Sequence, residues 1–517
     1  MRRYVEGGCD AFQRLIGVAK SLRIKLGYKV YILTAILTYT VVFSIFEIVI
    51  YRSFRIFTWD LGIFNQALWN TLHGRLLYYT AEPYYTTTGC FLAAHFSPVL
   101  LLLIPFYAIC PTAETLLVIS TLLIAIGALP AYAIANFFLK NEKMAVVLGI
   151  LYLLYPPLQG VTLSGFSLES FSGTLFLFIL YYLLKADFKK LALVLPLGLM
   201  THEASIPVIA FIGVYGMLFY RSAKGKGLQA SVIILIISTL YFFVAQYMRI
   251  YFGFTGQSSL WHEWAIIGAK STSDLLPRML LNPIAALNAL TFDWTAKLLY
   301  VTFLLLPFLF LPLLGLRGLI PAFPYLFISL TSSYHLYYSL EGHYAAFTSP
   351  FIFLGLLHGL TRLQKHSFLK TSVSKLVKLA LLLTATLLIV LLPPLYAQYQ
   401  VFNLDSKKNN IIENAISHVP QNASILTQSS IFPHVSSRPN AYTIAPPIWS
   451  AEYERVDKEI LQNLGKLNIE YVLLDFSAEQ SYFSAAYLIY TDFIIPNADR
   501  YSIVYAKEGV VLFHLNA

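Results

Sequence analysis

Charge is scarce in this chain: Asp, Glu, Lys and Arg make up 12% of its 517 residues, against 57% hydrophobic. That balance excludes an ordinary soluble globule and points to a polytopic membrane protein. Cysteine is scarcer still, with Cys9, Cys90 and Cys110 the only three. Their separations make neither a metal-binding cluster nor a disulfide framework, although a Cys90–Cys110 bridge stays open. Familiar site motifs are missing too. There is no Gly-rich phosphate loop at a strand-to-helix junction, no H-E-x-x-H, no serine nucleophile elbow and no inverted internal repeat of the kind found in many transporters. Nor is a cleavable signal peptide evident. The basic segment Met1 to Lys29 leads straight into the 21-residue apolar run Val30 to Ile50, which reads as an uncleaved signal anchor.

What the chain has in abundance is apolar runs of spanning length. They recur near residues 112–138, 144–160, 169–185, 190–202, 204–220, 228–248, 298–315, 319–335, 345–361 and 376–398. With the first run they predict about eleven transmembrane helices. The shortest, 190–202, is under-length, so "LVLPLGLMTHEASIP" is expected to form a helix pair meeting within the membrane. Two outer segments, 51–111 and 249–297, are long. In the first, "HFSPVLLLLIPFYAIC" is too short and too bounded by proline to cross, and suits an interfacial helix.

Lysine and arginine give the orientation. The N-terminus and the alternate joints 139–143, 185–190, 221–227, Arg317 and 362–378 hold 21 basic residues and four acids. The remaining joints, up to the tail, hold seven and nine. This bias predicts a cytoplasmic N-terminus over 1–29, a membrane domain over 30–398 and an extracytoplasmic domain over 399–517, in the plasma membrane. It also accounts for the formal net charge of +10, so nucleic acid drops out as a partner. In the tail, "SKKNNIIENAISHV" and "YERVDKEILQNLG" have helical spacing, "ASILTQ" and "EYVLLDF" read as buried strands, and "YSIVYAKEGVVLFHL" as a hairpin turning at Glu508-Gly509. A small α/β domain follows, with one sequon at Asn422-Ala-Ser424.

Ionisable side chains at membrane depth are costly, so their gathering is informative. Near outer span ends stand Asp60, His73, Arg75, Glu82, His95, Glu169, His202, Glu203, His262, Glu263, His335, Glu341 and His343. Asp60, in "RIFTWDLGIFNQALWNTLHGR", reads either as a helix cap or as a general base. In the second reading the amphipathic run Leu61, Ile63, Phe64, Leu68 and Trp69 holds it at the membrane surface. Arg52, Arg55 and Arg75 share that loop and suit a phosphate or lipid headgroups, with His95 beside them. Arg249, Lys270, Arg278 and Lys297 are the next basic candidates. Thr201-His202-Glu203 places two ionisable groups between apolar helices, and "HLYYSLEGHYAAF" adds Glu341 and His343 at a spacing too loose for a zinc site. "WHEW" at 261–264 reads either as an acceptor-side contact or as a plain amphipathic turn.

Taken together, "WDLGIFNQALW" (59–69), the run from His95 to Ala135, "LYLLYPPLQG" (151–160) and "GHYAAFTSPFIF" (342–353) resemble DUF2079, a family of archaeal and bacterial membrane proteins. The chain departs at "GFSLES" (165–170), where Ser167 stands in place of the family's histidine. That family in turn resembles the GT-C superfamily of polyprenyl-phosphate-dependent membrane glycosyltransferases. The resemblance implies a GT-C-like membrane domain and Asp60 as catalytic acid of the first outer loop. It also implies donor-phosphate contacts from Arg52, Arg55, Arg75 and His95, with Glu169, His202, Glu203, Glu341 and His343 as further site candidates. The implied partners are a polyprenyl-phosphate-linked sugar, a lipid, glycan or protein acceptor, and membrane lipids. No cofactor is required and a divalent metal is optional. With only Trp449 in the tail, transfer of a whole oligosaccharide to asparagine is disfavoured. The rival readings are a transporter or lipid-binding membrane protein and a cell-envelope scaffold.

Overall fold

In an apolar surround only a structure that bonds its own backbone is tolerated, and the Leu-, Ile- and Phe-rich runs accordingly fold as helices. The computed structural model describes residues 27–220, 225–256, 264–269, 272–365, 372–398, 406–444, 451–477 and 480–516. The basic segment 1–26, Lys224, His262, Glu263, Lys270 and Trp449 lie outside the described residues. Lys29–Arg52, Ala113–Leu139, Lys226–Tyr251, Leu311–Thr331 and Ser372–Val390 are long and apolar enough to cross a membrane. Two bent pairs, Glu142–Leu154 with Pro156–Leu163 and Pro283–Thr291 with Trp294–Phe308, bring the number to seven if each is one span. All eleven apolar runs are at least partly helical. Leu168–Leu184, Phe188–Leu199, Ser205–Phe219 and Ser349–Gln364 are shorter, at 17, 12, 15 and 16 residues.

One local expectation needs correcting. The joint placed at Arg317 lies instead at Leu309–Phe310, both left-handed (φ 55° and 56°), and Arg317 belongs to the 21-residue stretch Leu311–Thr331. Pro307 and Pro312 bracket this break, since neither can continue a helical bond ladder. The stretch beyond it leans on Ser349–Gln364 through glycines. A Cβ on Gly315 would run into the Gly355 carbonyl oxygen and one on Gly318 would meet the Gly355 nitrogen at 2.6 Å, the close approach that small residues allow between membrane helices. Cys90 and Cys110 are both free thiols, one buried and one exposed. "HFSPVLLLLIPFYAIC" yields one eight-residue helix, Leu100–Tyr107, with Pro105 inside it.

After Gln398 the chain builds a small α/β unit from β1 (Ile425–Thr427), β2 (Ala441–Tyr442), β3 (Tyr471–Asp475), β4 (Tyr501–Lys507) and β5 (Val510–Leu515). Their order is β2-β1-β3-β5-β4, parallel over the first three and antiparallel over the last three. The β4–β5 hairpin turns at Glu508-Gly509, with φ of 45° and 84°, a twist that matches the flanking strands. Alternation along the strands buries both faces. Ile425, Leu473 and Leu512 pack with Ile411, Ile412 and Ala415 of the helix Ser406–Ser417. Leu426, Val472, Leu474 and Phe513 pack with Leu461 and Ile489 from the helices Ala451–Leu464 and Gln480–Ile489. The first cluster also takes in Phe54, from the segment that follows the first helix. The unit is therefore seated on the same end of the molecule as Asp60.

Candidate functional site

Asp60 does not cap a helix. Between Lys29–Arg52 and Ile63–Leu72 the chain makes one wide turn, Thr58–Gly62, and neither it nor the following helix has a side-chain cap. Trp59 is extended (φ −62°, ψ 132°), and Asp60 takes φ 70° and ψ −91°. An L-residue with a side chain holds such a backbone at a cost on the order of 1–3 kcal/mol, a departure concentrated at functional sites. The effect is to turn the carboxylate out of the helix line, leaving the side chain 30% exposed.

From Asp60 a line of acids and imidazoles runs through the interior. Asp60 Oδ2 lies 3.4 Å from His343 Nδ1, and His343 Nε2 is 4.0 Å from Glu169 Oε2. Glu169 Oε1 is 3.4 Å from His202 Nε2, itself 3.7 Å from Glu203 Oε2. Glu203 reaches His95 Nδ1 at 3.3 Å and Arg249 Nε at 3.4 Å, and accepts the Phe96 N–H at 2.8 Å. Each member stands at the end of a helix, in a joint between helices or in a short turn. Ser167 caps the helix Leu168–Leu184 and so sets Glu169 in its first turn. His202 and Glu203 occupy the joint between Phe188–Leu199 and Ser205–Phe219. His95 follows the short helix Phe91–Ala94, Arg249 stands in the last turn of Lys226–Tyr251, and His343 opens a 3-10 turn.

The charges differ along this line. Burial drives the Asp60 carboxyl up to about 6, with His343 pulling it down and Glu169 pushing it up. Glu82, which accepts from the Tyr79 hydroxyl at 3.3 Å, is likewise pushed up to about 7, chiefly by burial. Glu203 is the opposite case. Burial opposes its charge, yet His95, His202 and Arg249 hold it well below the usual carboxylate range. For His95, burial works against the proton and Glu203 outweighs it, so the imidazole is raised. His202 is fixed neutral by geometry: its Nδ1 accepts the Ala204 N–H at 3.0 Å, so Nε2 carries the hydrogen and faces the two carboxylates. Burial, first among its causes, lowers it in the same sense.

Not every candidate joins this line. Arg52 pairs with Glu114 at 2.8 Å with its side chain 66% exposed, and Arg75 lies over Tyr78 and donates to the Pro439 carbonyl at 3.2 Å. Among the described residues neither is bonded to a member of the Asp60-to-Arg249 line. Arg55 lies in the connection between the first helix and the Asp60 turn, its N–H on Ile50 O. Glu341 is half-buried two residues before His343, its N–H on Ser339 Oγ. His73 stacks on Trp69, and His335 meets Tyr338 edge-on. Arg249, by contrast, was only a reserve basic candidate and Glu82 only an outer acid. Arg249 carries a signal of sorts: it closes a 26-residue apolar helix, where an arginine reaches for the polar end.

His95, His202 and Glu203 offer ligand atoms within 4.8 Å of one another, close enough to invite a metal ion. The chemistry around them fits poorly. The His202 tautomer puts a hydrogen on the nitrogen that would coordinate, and the Arg249 guanidinium already stands beside Glu203. The set is suited to passing and holding protons, and no step below is routed through a metal.

No curated protein matches the chain. Among solved structures, ArnT from Cupriavidus metallidurans bound to undecaprenyl phosphate aligns at 11% identity and a TM-score of 0.46, over 92% of this chain and 97% of that one. The arabinofuranosyltransferase AftD from Mycobacteria aligns at 14% and 0.45, over 93% of this chain and 40% of that one. The Archaeoglobus fulgidus oligosaccharyltransferase in complex with Zn and sulfate aligns at 14% and 0.43, over 92% and 73%. Likenesses of this distance decide nothing about chemistry. The family described as "Predicted membrane protein (DUF2079)" matches residues 51–512, and with its several membrane-length helices the chain belongs to that family and is a multi-pass membrane protein.

Proposed function

We propose that the protein transfers a sugar from a polyprenyl-phosphate donor to an acceptor hydroxyl at the extracytoplasmic face of the membrane. The observation that carries this reading is the Asp60-to-Arg249 line: a turned-out carboxylate at one end, a guanidinium at the other, and buried acid–imidazole pairs between. In the reaction the acceptor oxygen bonds the anomeric carbon as the bond from that carbon to the phosphate oxygen breaks. The electron pair leaves with polyprenyl phosphate, the acceptor proton goes to Asp60, and the configuration inverts. Arg249 offsets the negative charge on the departing phosphate. The GT-C resemblance of the motifs agrees with the role of Asp60. The test is release of free polyprenyl phosphate when purified protein meets sugar-labelled polyprenyl-phosphate lipids extracted from source-cell membranes. No release from any such pool would leave the transporter or scaffold reading standing.

A pH profile follows from the groups around Asp60, namely His343, Glu169 and His95. Only the deprotonated base accepts a proton, and burial has raised this carboxyl to about 6. Turnover should therefore climb as pH rises through about 6 and level off above it. Turnover already at its plateau near about pH 4, where an ordinary aspartate is ionised, would take the role from Asp60.

The orientation part of the proposal has its own check. In a chain whose Cys9, Cys90 and Cys110 are replaced by serine, a cysteine at Asn422, exposed in the tail, should react with an impermeant maleimide on intact cells. One at Lys365 should react only after lysis. The reverse pattern would invert the topology and place the site inside.

A further inference from the structure

The turn that carries Asp60 is gripped by residues far along the chain, with 371 positions separating Thr58 from Ser429. We infer that the segment Gln428–Ser437, at the carboxyl end of β1, is the positioning element for Asp60, so that the C-terminal domain is part of the working site. The inference rests on the reading of Asp60 as the base.

Both flanks of the Asp60 turn are fastened to this one segment. Before Asp60, the buried Thr58 donates its N–H to Ser429 Oγ at 3.1 Å and its hydroxyl to the Ser429 carbonyl at 3.2 Å. After it, the Phe432 ring presses on Gly62, where a Cβ would stand 2.8 Å from Phe432 Cδ1. One turn on, Asn65 Nδ2 donates to Ser436 Oγ at 2.7 Å and Ser437 Oγ at 2.9 Å. Upstream, the His434 ring is stacked between Tyr51 and Phe54, at 4.1 and 3.9 Å. The segment is anchored in turn to the sheet: Gln428 Oε1 accepts the Asp475 N–H at 2.8 Å, and Lys408 holds the Asp475 carboxylate at 3.1 Å. The turn has no side-chain cap of its own, so its unusual backbone is maintained from outside. Strands meeting in parallel commonly present function at their carboxyl ends, and here that end presents a clamp.

A misplacement of about 1 Å can cost about 10²-fold in rate, and the clamp is where such a displacement would be introduced. Thr58→Val removes the hydroxyl at nearly constant volume, and Ser429→Ala removes the acceptor of the Thr58 N–H. With the labelled polyprenyl-phosphate lipid extract as probe, each should lower kcat by about ten- to hundredfold. The apparent donor KM should stay within roughly twofold, and the acidic limb of the pH profile should move. Thr58→Ser, which restores the hydroxyl, should recover kcat. If Thr58→Val and Ser429→Ala lower only Tm, with kcat per folded molecule and the pH limb unmoved, the contact is merely structural and the inference is overturned. Should either variant fail to fold, Gly62→Ala is compared with and without Phe432→Leu. The added methyl should displace the turn where Phe432 is kept and find room where it is leucine, so equal kcat in the two would also overturn it. Asp60→Asn run in parallel separates the failures: wild-type turnover there removes the base reading, whereas an inactive Asp60→Asn beside a fully active Thr58→Val removes only the clamp.

Discussion

Asp60→Asn should yield a folded protein whose sugar transfer has fallen by about 10²-fold or more, while polyprenyl phosphate still binds. Asparagine keeps the size and hydrogen bonding of the side chain and takes away only the ability to accept a proton. The stability change should run the other way. Because folding raises this carboxyl above its unfolded range, it favours the folded state below the unfolded value. That contribution is lost as pH rises through about 6. At neutral pH the ionised aspartate is therefore a burden on the fold, and the neutral asparagine should leave Tm equal or higher. Loss of activity with stability kept is the mark of a working group, and thermal unfolding beside the phosphate-release assay reads both. A transporter would turn over no lipid-linked sugar in either form. Wild-type release by a folded Asp60→Asn would falsify the base assignment.

Much of the architecture was legible because it is written in short-range pattern. The hairpin at Glu508-Gly509 needs only a glycine between two alternating runs, and β1 and β3 fall within "ASILTQ" and "EYVLLDF". The joint in "LVLPLGLMTHEASIP" also emerged, since a run this short cannot span and Thr201-His202-Glu203 interrupts it; the helix before the joint has 12 residues. Packing is a different matter. The break at Leu309–Phe310 depends on left-handed backbone in two ordinary apolar residues, which no composition signals. Length alone also does not tell where a run bends or stops short, because that is settled between helices, as at the Gly315–Gly355 seam. Of the site, the ionisable residues could be named but not connected. Nothing local tells that Asp60 would leave the helix line, that His343 would stand beside it, or that "SSIFPH" in the tail would hold its turn.

The phosphate contact is where the structure most changes the expectation, and it gives the second large effect. Arg52, Arg55 and Arg75 were chosen for proximity in sequence to Asp60. Arg52 is an exposed partner of Glu114, a kind of pair worth about 0–1 kcal/mol, and Arg75 is spent on Tyr78 and Pro439. Arg249 is different. Its Nε faces Glu203 and the Ala93 carbonyl, its Nη1 reaches Gln246 at 3.4 Å, and its guanidinium lies over the Phe254 ring, 4.0 Å from the centroid. A guanidinium held in this way beside the buried acids and imidazoles keeps the fork geometry that suits a phosphate oxygen. Arg249→Gln should weaken binding of polyprenyl phosphate by about 1.5–3 kcal/mol, which is about 10- to 150-fold in Kd. Arg52→Gln and Arg75→Gln should change it by less than about threefold. Arg249→Lys should fall between, keeping the charge and losing the fork. Glu203 retains His95 and the Phe96 N–H in every case, so Tm should hold. If Arg249→Gln binds polyprenyl phosphate as wild type while Arg55→Gln does not, the leaving phosphate sits at the Asp60 end of the line, and the acid–imidazole chain must then serve the acceptor instead.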